Sequence, residues 1–152
     1  MNNKKICVIG LGYIGLPTSA MFATHGCEVI GVDINGEVVN ALAKGKTIIE
    51  EPYLDIMVQA AVRSGHLKAK TEPENADAFI IAVPTPITED KKADMRHVVA
   101  ATEMLIPFLE KGNLVILEST SPAGTVEELI VPILEKTGFK IGEELYVGHS
   151  PE

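Results

Sequence analysis

Gly10-Leu11-Gly12-Tyr13-Ile14-Gly15 follows directly on the apolar run Ile6-Cys7-Val8-Ile9 and opens a helical pattern. A G-x-G-x-x-G between a buried strand and a helix carries a specific mechanism. Gly10 permits the tight turn. Gly12, with no Cβ, lets a pyrophosphate approach the backbone, and Gly15 lets the helix pack closely on the strand. The first-turn N–H groups, Tyr13 and Ile14 among them, and the helix dipole supply a positive end for phosphate. Pro17 falls in the first turn, where its missing N–H costs little. Gly10, Gly12, Tyr13, Ile14 and Gly15 are therefore candidate cofactor residues.

Outward from this turn, apolar runs alternate with helical patterns. Strands are expected at residues 6–9, 28–32, 67–70, 78–83, 114–117 and 144–147. Helices are expected over 15–25 and 35–44, closed by Gly26 and Gly45. A further helix, an addition to the minimal unit, is opened by Glu51-Pro52 and ends near Gly65. Asp94 is the expected N-cap of a helix to about Glu110, with Pro107 ending it early. Thr125-Val126-Glu127-Glu128 has the capping-box pattern and begins a helix to about Lys136, with a kink expected at Pro132. Strands alternating with helices imply right-handed crossovers. The expected fold is an α/β, Rossmann-type doubly wound parallel sheet of about six strands in the order 3-2-1-4-5-6, with helices on both faces. Residues 1–152 are expected to form one domain.

Asp33 ends the second strand at the spacing expected of a ribose-binding acid. Its carboxylate can accept hydrogen bonds from the adenosine ribose, and it would repel a 2′-phosphate by roughly 1–4 kcal/mol at ~4 Å. NAD is thus the expected cofactor, ahead of NADP.

The composition is consistent with this and excludes other classes. The chain has 152 residues, 46% hydrophobic and 5% aromatic, with a formal net charge of −8. An acidic surface argues against nucleic acid or an anionic membrane as partner. There is no signal-peptide pattern and no apolar run near the ~20 residues of a span, so a cytoplasmic protein is expected. Cys7 and Cys27 fit no metal spacing and are expected to be reduced core thiols. The four histidines have no ligand-like spacing, and surface or loop roles are expected for each; no metal site is expected.

Ligands in open α/β sheets bind at the carboxyl ends of the strands. Beside the glycine turn, three unusual clusters fall there: Pro84-Thr85-Pro86, Glu118-Ser119-Thr120-Ser121-Pro122, and Ser150-Pro151-Glu152. Turn-making alone accounts for any one of them; hydroxyls and an acid converging on one rim point to a site. Thr85 and Thr120 are candidates for bonding cofactor or substrate, and Glu152 for orienting a water or acting as base.

At these residues the chain resembles the UDP-glucose/GDP-mannose dehydrogenase family. The likeness runs through residues 10–18, Val32-Asp33-Ile34-Asn35, Glu51-Pro52-Tyr53-Leu54-Asp55, Val83-Pro84-Thr85-Pro86 and residues 118–125. Glu118 before Ser119-Thr120 resembles the branch acting on N-acetylated sugars. The resemblance implies oxidation of the C6 alcohol of a UDP-sugar, UDP-N-acetylmannosamine first, to a carboxylate with two NAD+. It implies a cofactor site lined by Ile14, Asp33, Pro84, Thr85 and Thr120, and a catalytic role for Thr120 and Glu152. It also implies a homodimeric full-length protein. Two departures stand out. Val38 occupies a position where some relatives carry Lys or Arg, and the family's nucleophilic Cys, with its helper Lys and Asn, belongs to later motifs that Cys7 and Cys27 do not replace. The central and C-terminal UDP-binding domains are thus expected to lie outside this chain, which is expected to bind NAD(H) without turnover. Two alternatives are a dehydrogenase of hydroxyacid type and a non-catalytic NAD-sensing module.

Overall fold

In the computed structural model, which describes residues 4–151, six strands form one sheet in the order β3-β2-β1-β4-β5-β6. They are β1 (Lys5–Ile9), β2 (Glu28–Val32), β3 (Leu67–Lys70), β4 (Ala78–Ile81), β5 (Leu114–Leu117) and β6 (Tyr146–His149). Every neighbouring pair is parallel, the doubly wound arrangement anticipated from the alternation of patterns.

The helices are α1 (Gly15–Thr24), α2 (Gly36–Ala43), α3 (Leu54–Arg63), α4 (Arg96–Leu105) and the short α5 (Val131–Leu134). Two cores follow from the strand alternation. On one face Ile6, Val8 and Val29 meet Leu16 and Ala20 of α1, Leu42 of α2 and Val58 of α3. On the other, Cys7, Ile9, Ile30, Val32 and Phe79 meet Val98 and Leu105 of α4 and Leu134 of α5. The central strands bury both faces, which is why they read as continuous apolar runs.

Several boundaries differ from the sequence expectation, each for a local reason. The helix expected from Glu51-Pro52 begins at Leu54, because Tyr53 stands at φ 65° and lies outside helical geometry. Asp94 accepts the Arg96 N–H at 3.1 Å, yet the helix proper starts at Arg96 after Met95. The Arg96 guanidinium also grips Asp94 and holds its carboxyl down to about 2. α4 ends at Leu105 and passes into a 3₁₀ turn over Ile106–Phe108 that contains Pro107, the early end expected from that proline.

The capping box at Thr125 does not form. The Thr125 hydroxyl donates backward to the Pro122 carbonyl at 2.7 Å, and Val126–Ile130 winds as a π-helical turn before α5. β6 lies two residues later than expected, because Glu144 and Leu145 are held in a turn in which both their N–H groups reach the Lys140 carbonyl. β4 stops at Ile81; Ala82 adds one more sheet-like bond to Ile9 at 2.8 Å, and the chain then leaves the ladder.

Phe79 sits fully buried at the centre of β4, paired with Cys7 and Val115. Phe79→Ala should lower unfolding free energy by about 3–5 kcal/mol, checked by urea titration followed by circular dichroism.

Candidate functional site

The chain crosses from β1 to α1 in five residues, and two of the three glycines are required by the protein's own backbone. Gly10 has φ 94°, and a Cβ on it would meet the Ala82 carbonyl oxygen at 2.5 Å. A Cβ on Gly15 would collide with the Gly10 carbonyl oxygen and press on Ala82. Gly15 thus closes the turn upon itself more than it seats the helix on the strand. Gly12 differs: a Cβ there would meet no protein atom within 4 Å. Its lack of a side chain leaves open space at the mouth of the turn. Among the described residues, the N–H groups of Gly12, Tyr13 and Ile14 have no protein acceptor, and they lie beside the N-terminus of α1.

Asp33 holds this turn from β2. Its Oδ2 accepts the Leu11 N–H at 2.9 Å and its Oδ1 the Asn35 N–H at 2.8 Å. The Gly10 N–H bonds the Val32 carbonyl at 2.8 Å. Asn35 in turn caps α2 through the Glu37 N–H at 2.9 Å. One carboxylate therefore links the glycine turn to the start of the second crossover. Two bonds do not exhaust its lone pairs, and it still borders the crevice.

A cavity of about 560 Å³ opens at the carboxyl end of the sheet. Gly10, Gly12, Tyr13, Ile14, Asp33, Pro84, Thr85 and Thr120, all singled out in the sequence, line it; Gly15 supports it from behind. Glu152 lies outside the described residues. Among the described residues, no Lys or Arg lines the cavity, so an anion there would meet backbone dipoles instead of a side-chain cation.

The rim segments are tied to one another. The Thr85 hydroxyl donates to the Thr120 carbonyl at 2.5 Å, which leaves its oxygen able to accept but commits its proton to the protein. Ser119 donates to the Val83 carbonyl at 2.8 Å, and Ser121 Oγ lies 3.2 Å from His149 Nε2 at the end of β6.

Sequence reasoning missed one wall. His97, Ala100, Ala101 and Met104 of α4 line the cavity opposite the glycine turn. Their i, i+3, i+4, i+7 spacing marks one helical face, and that was the available signal. His97 is exposed, as expected, but it is exposed into the crevice. Neither cysteine reaches the cavity: both are buried, and burial pushes the Cys7 thiol up to about 12. No group of three or more His, Cys, Asp or Glu among the described residues is placed to hold a metal. No helix among them is long and apolar enough to cross a membrane.

Comparison with known proteins gives this geometry a context. The sequence model of the "UDP-glucose/GDP-mannose dehydrogenase family, NAD binding domain" matches residues 4–152. A UDP-N-acetyl-D-mannosamine dehydrogenase of Methanococcus maripaludis is 48% identical over 98% of this chain and 34% of its own length. An NDP-N-acetyl-D-galactosaminuronic acid dehydrogenase of Ralstonia solanacearum is 47% identical over 98% of this chain and 37% of its own. The solved UDP-N-acetyl-mannosamine dehydrogenase of Staphylococcus aureus superposes with a TM-score of 0.94 at 48% identity, covering 97% of this chain and 36% of that one. The chain thus spans about a third of the length of these relatives.

Two outcomes follow from the site geometry. Gly10→Ala should destabilise the fold by about 1–3 kcal/mol from backbone conformation alone, whereas Gly12→Ala should stay within about 0.5 kcal/mol of the parent, both by thermal melting. At pH 8 neither Cys7 nor Cys27 should react with iodoacetamide until the chain is unfolded, as mass spectrometry would register.

Proposed function

The chain belongs to the UDP-glucose/GDP-mannose dehydrogenase family, and from that premise we propose that the whole protein is a nucleotide-sugar 6-dehydrogenase whose NAD-binding domain is this segment. The observation that carries the reading is the open turn at Gly12, with unbonded N–H groups on one side and the Asp33 carboxylate on the other, at the mouth of one cavity. A dinucleotide fits the chemistry of that donor and acceptor set. Its diphosphate takes the N–H groups of Gly12, Tyr13 and Ile14, and its adenosine ribose hydroxyls donate to the lone pairs left on Asp33. The same carboxylate disfavours a 2′-phosphate.

NAD+, when bound, accepts hydride from the sugar C6. This segment's contribution to that step is orientation and electrostatics. Pro84 and Thr85 bound the cavity from β4 and Thr120 bounds it from β5; their mutual hydrogen bond fixes the distance between the two rim segments. Thr120 meets cofactor or substrate at that rim, and Glu152, which follows Ser150-Pro151 in the sequence, is assigned the role of orienting a water or acting as base. The substrate is an N-acetylated UDP-sugar, UDP-N-acetylmannosamine first. The supporting observations are Glu118-Ser119-Thr120 in the sequence and relatives of 48% identity that carry that sugar in their names. The nucleophilic cysteine belongs to the remainder of the protein, since Cys7 and Cys27 are enclosed in the core. The full-length protein is, in this reading, a cytoplasmic homodimer; the charge of −8 on this chain speaks only against a nucleic-acid or anionic-membrane partner for this segment.

Isothermal titration calorimetry tests the cofactor assignment. NAD+ should bind at least about fivefold more tightly than NADP+, and Gly12→Ala should weaken NAD+ by about tenfold or more while leaving the melting temperature unchanged. Equal affinity for the two dinucleotides, or unimpaired binding by Gly12→Ala, would remove the assignment.

A further inference from the structure

We propose that Gly31 and Leu11 are a positioning pair for the cofactor turn: the missing side chain of Gly31 is the socket that sets where the Leu11 N–H, and with it the glycine turn, stands. The proposal rests on the cofactor site assigned above. Val29 and Gly31 of β2, and Asp33 directly after it, alternate with their neighbours and face the same side of the sheet, the side on which Val29 joins the core with α1 to α3. Leu11 bridges the last two of these positions. Its backbone N–H reaches Asp33 Oδ2 at 2.9 Å, and its side chain lies over Gly31. A Cβ built on Gly31 would stand 2.8 Å from Leu11 Cδ2 and 3.2 Å from Cδ1.

Leu11 is only 1% exposed, so its methyl groups have little room to retreat within the core. The atoms that a side chain at residue 31 would meet are the far methyls of a flexible side chain, so it is the enclosure of Leu11 in the core that would pass the displacement on to its backbone and move it away from β2. The bond to Asp33 is the contact that lengthens first. The next residue along the lifted chain is Gly12, where the open space for a ligand lies. A shift of a few tenths of an ångström at residue 11 thus changes the distance between the turn's N–H groups and the Asp33 carboxylate, the two features a dinucleotide must span. Leu11 fills a position that the G-x-G-x-x-G pattern leaves unspecified; in this chain its size is matched to an absent Cβ across the strand.

The test is a mutant cycle on the 152-residue chain with two readouts. Gly31→Ala should weaken NAD+ by about fivefold or more at a temperature well below melting. It should also speed hydrogen exchange at the Leu11 amide, followed by NMR, without cofactor present. Adding Leu11→Val, which removes one methylene from the collision, should bring both values back toward the parent. Should Gly31→Ala alone fail to fold, the double variant should fold and bind NAD+ within about threefold of the parent. Unchanged affinity and exchange in Gly31→Ala, or no recovery in the double variant, would overturn the pairing. Because the exchange measurement involves no ligand, a chain that binds no NAD+ at all but shows the exchange cycle refutes the cofactor assignment and leaves the socket standing.

Discussion

Everything at the carboxyl end of this sheet depends on how closely the residue 10 carbonyl approaches residue 15. A strand must become a helix within five residues, and the helix must begin with its N–H groups pointing outward to the crevice. That geometry brings Gly15 so near the Gly10 carbonyl that no Cβ fits between them, and it holds Gly10 at φ 94° against Ala82 of the neighbouring segment. The three glycines therefore answer to two different demands. Gly10 and Gly15 are required by the protein whether or not anything binds. No protein atom would meet a Cβ on Gly12, so its smallness leaves open space at the mouth of the turn.

Asp33 joins these demands. A carboxylate at the end of a strand carries four lone-pair positions, and two of them take the Leu11 and Asn35 N–H groups. The choice between a structural and a ligand-binding Asp33 is thus a false one. By pinning Leu11 it fixes the turn, by pinning Asn35 it fixes the start of α2, and its remaining acceptor capacity faces the cavity. A single side chain sets the separation between where phosphate and ribose would lie. This also explains how a chain of net charge −8 can offer an anion site: the positive potential comes from oriented backbone dipoles at the start of α1, over distances where the surface charges are screened.

The sheet was legible in the sequence because burial on both faces imposes a simple signal. Ile6 to Ile9 and Phe79 to Ile81 are apolar at every position, since alternate residues enter opposite cores that are equally dry. The glycine turn was legible because its spacing is fixed by backbone sterics. What escaped was decided by competition between local hydrogen bonds. Thr125 and Glu128 match a capping box, but the Thr125 hydroxyl finds the Pro122 carbonyl first. Glu144 and Leu145 have strand-like neighbours, yet the Lys140 carbonyl holds their N–H groups in a turn. The α4 wall was missed for another reason: Ala100 and Met104 are ordinary helix residues, and only the tertiary placement of α4 across from the turn gives them a site to line.

The rim opposite Asp33 follows a similar logic with weaker partners. Thr85 and Ser119 are held by carbonyls of each other's segments, at Thr120 and Val83. Two chain segments leaving adjacent strands would otherwise splay, since neither continues the ladder beyond Ala82 and Glu118. The hydroxyls replace the missing ladder bonds with side-chain ones. That is why this stretch carries Thr and Ser where a packed strand would carry Val and Ile. It follows that a hydroxyl placed at a ligand site in such a sheet has its proton committed before any ligand arrives. What Thr85 and Ser119 offer a substrate or cofactor is an acceptor, and backbone donors stand at the glycine turn on the other side of the cavity lining.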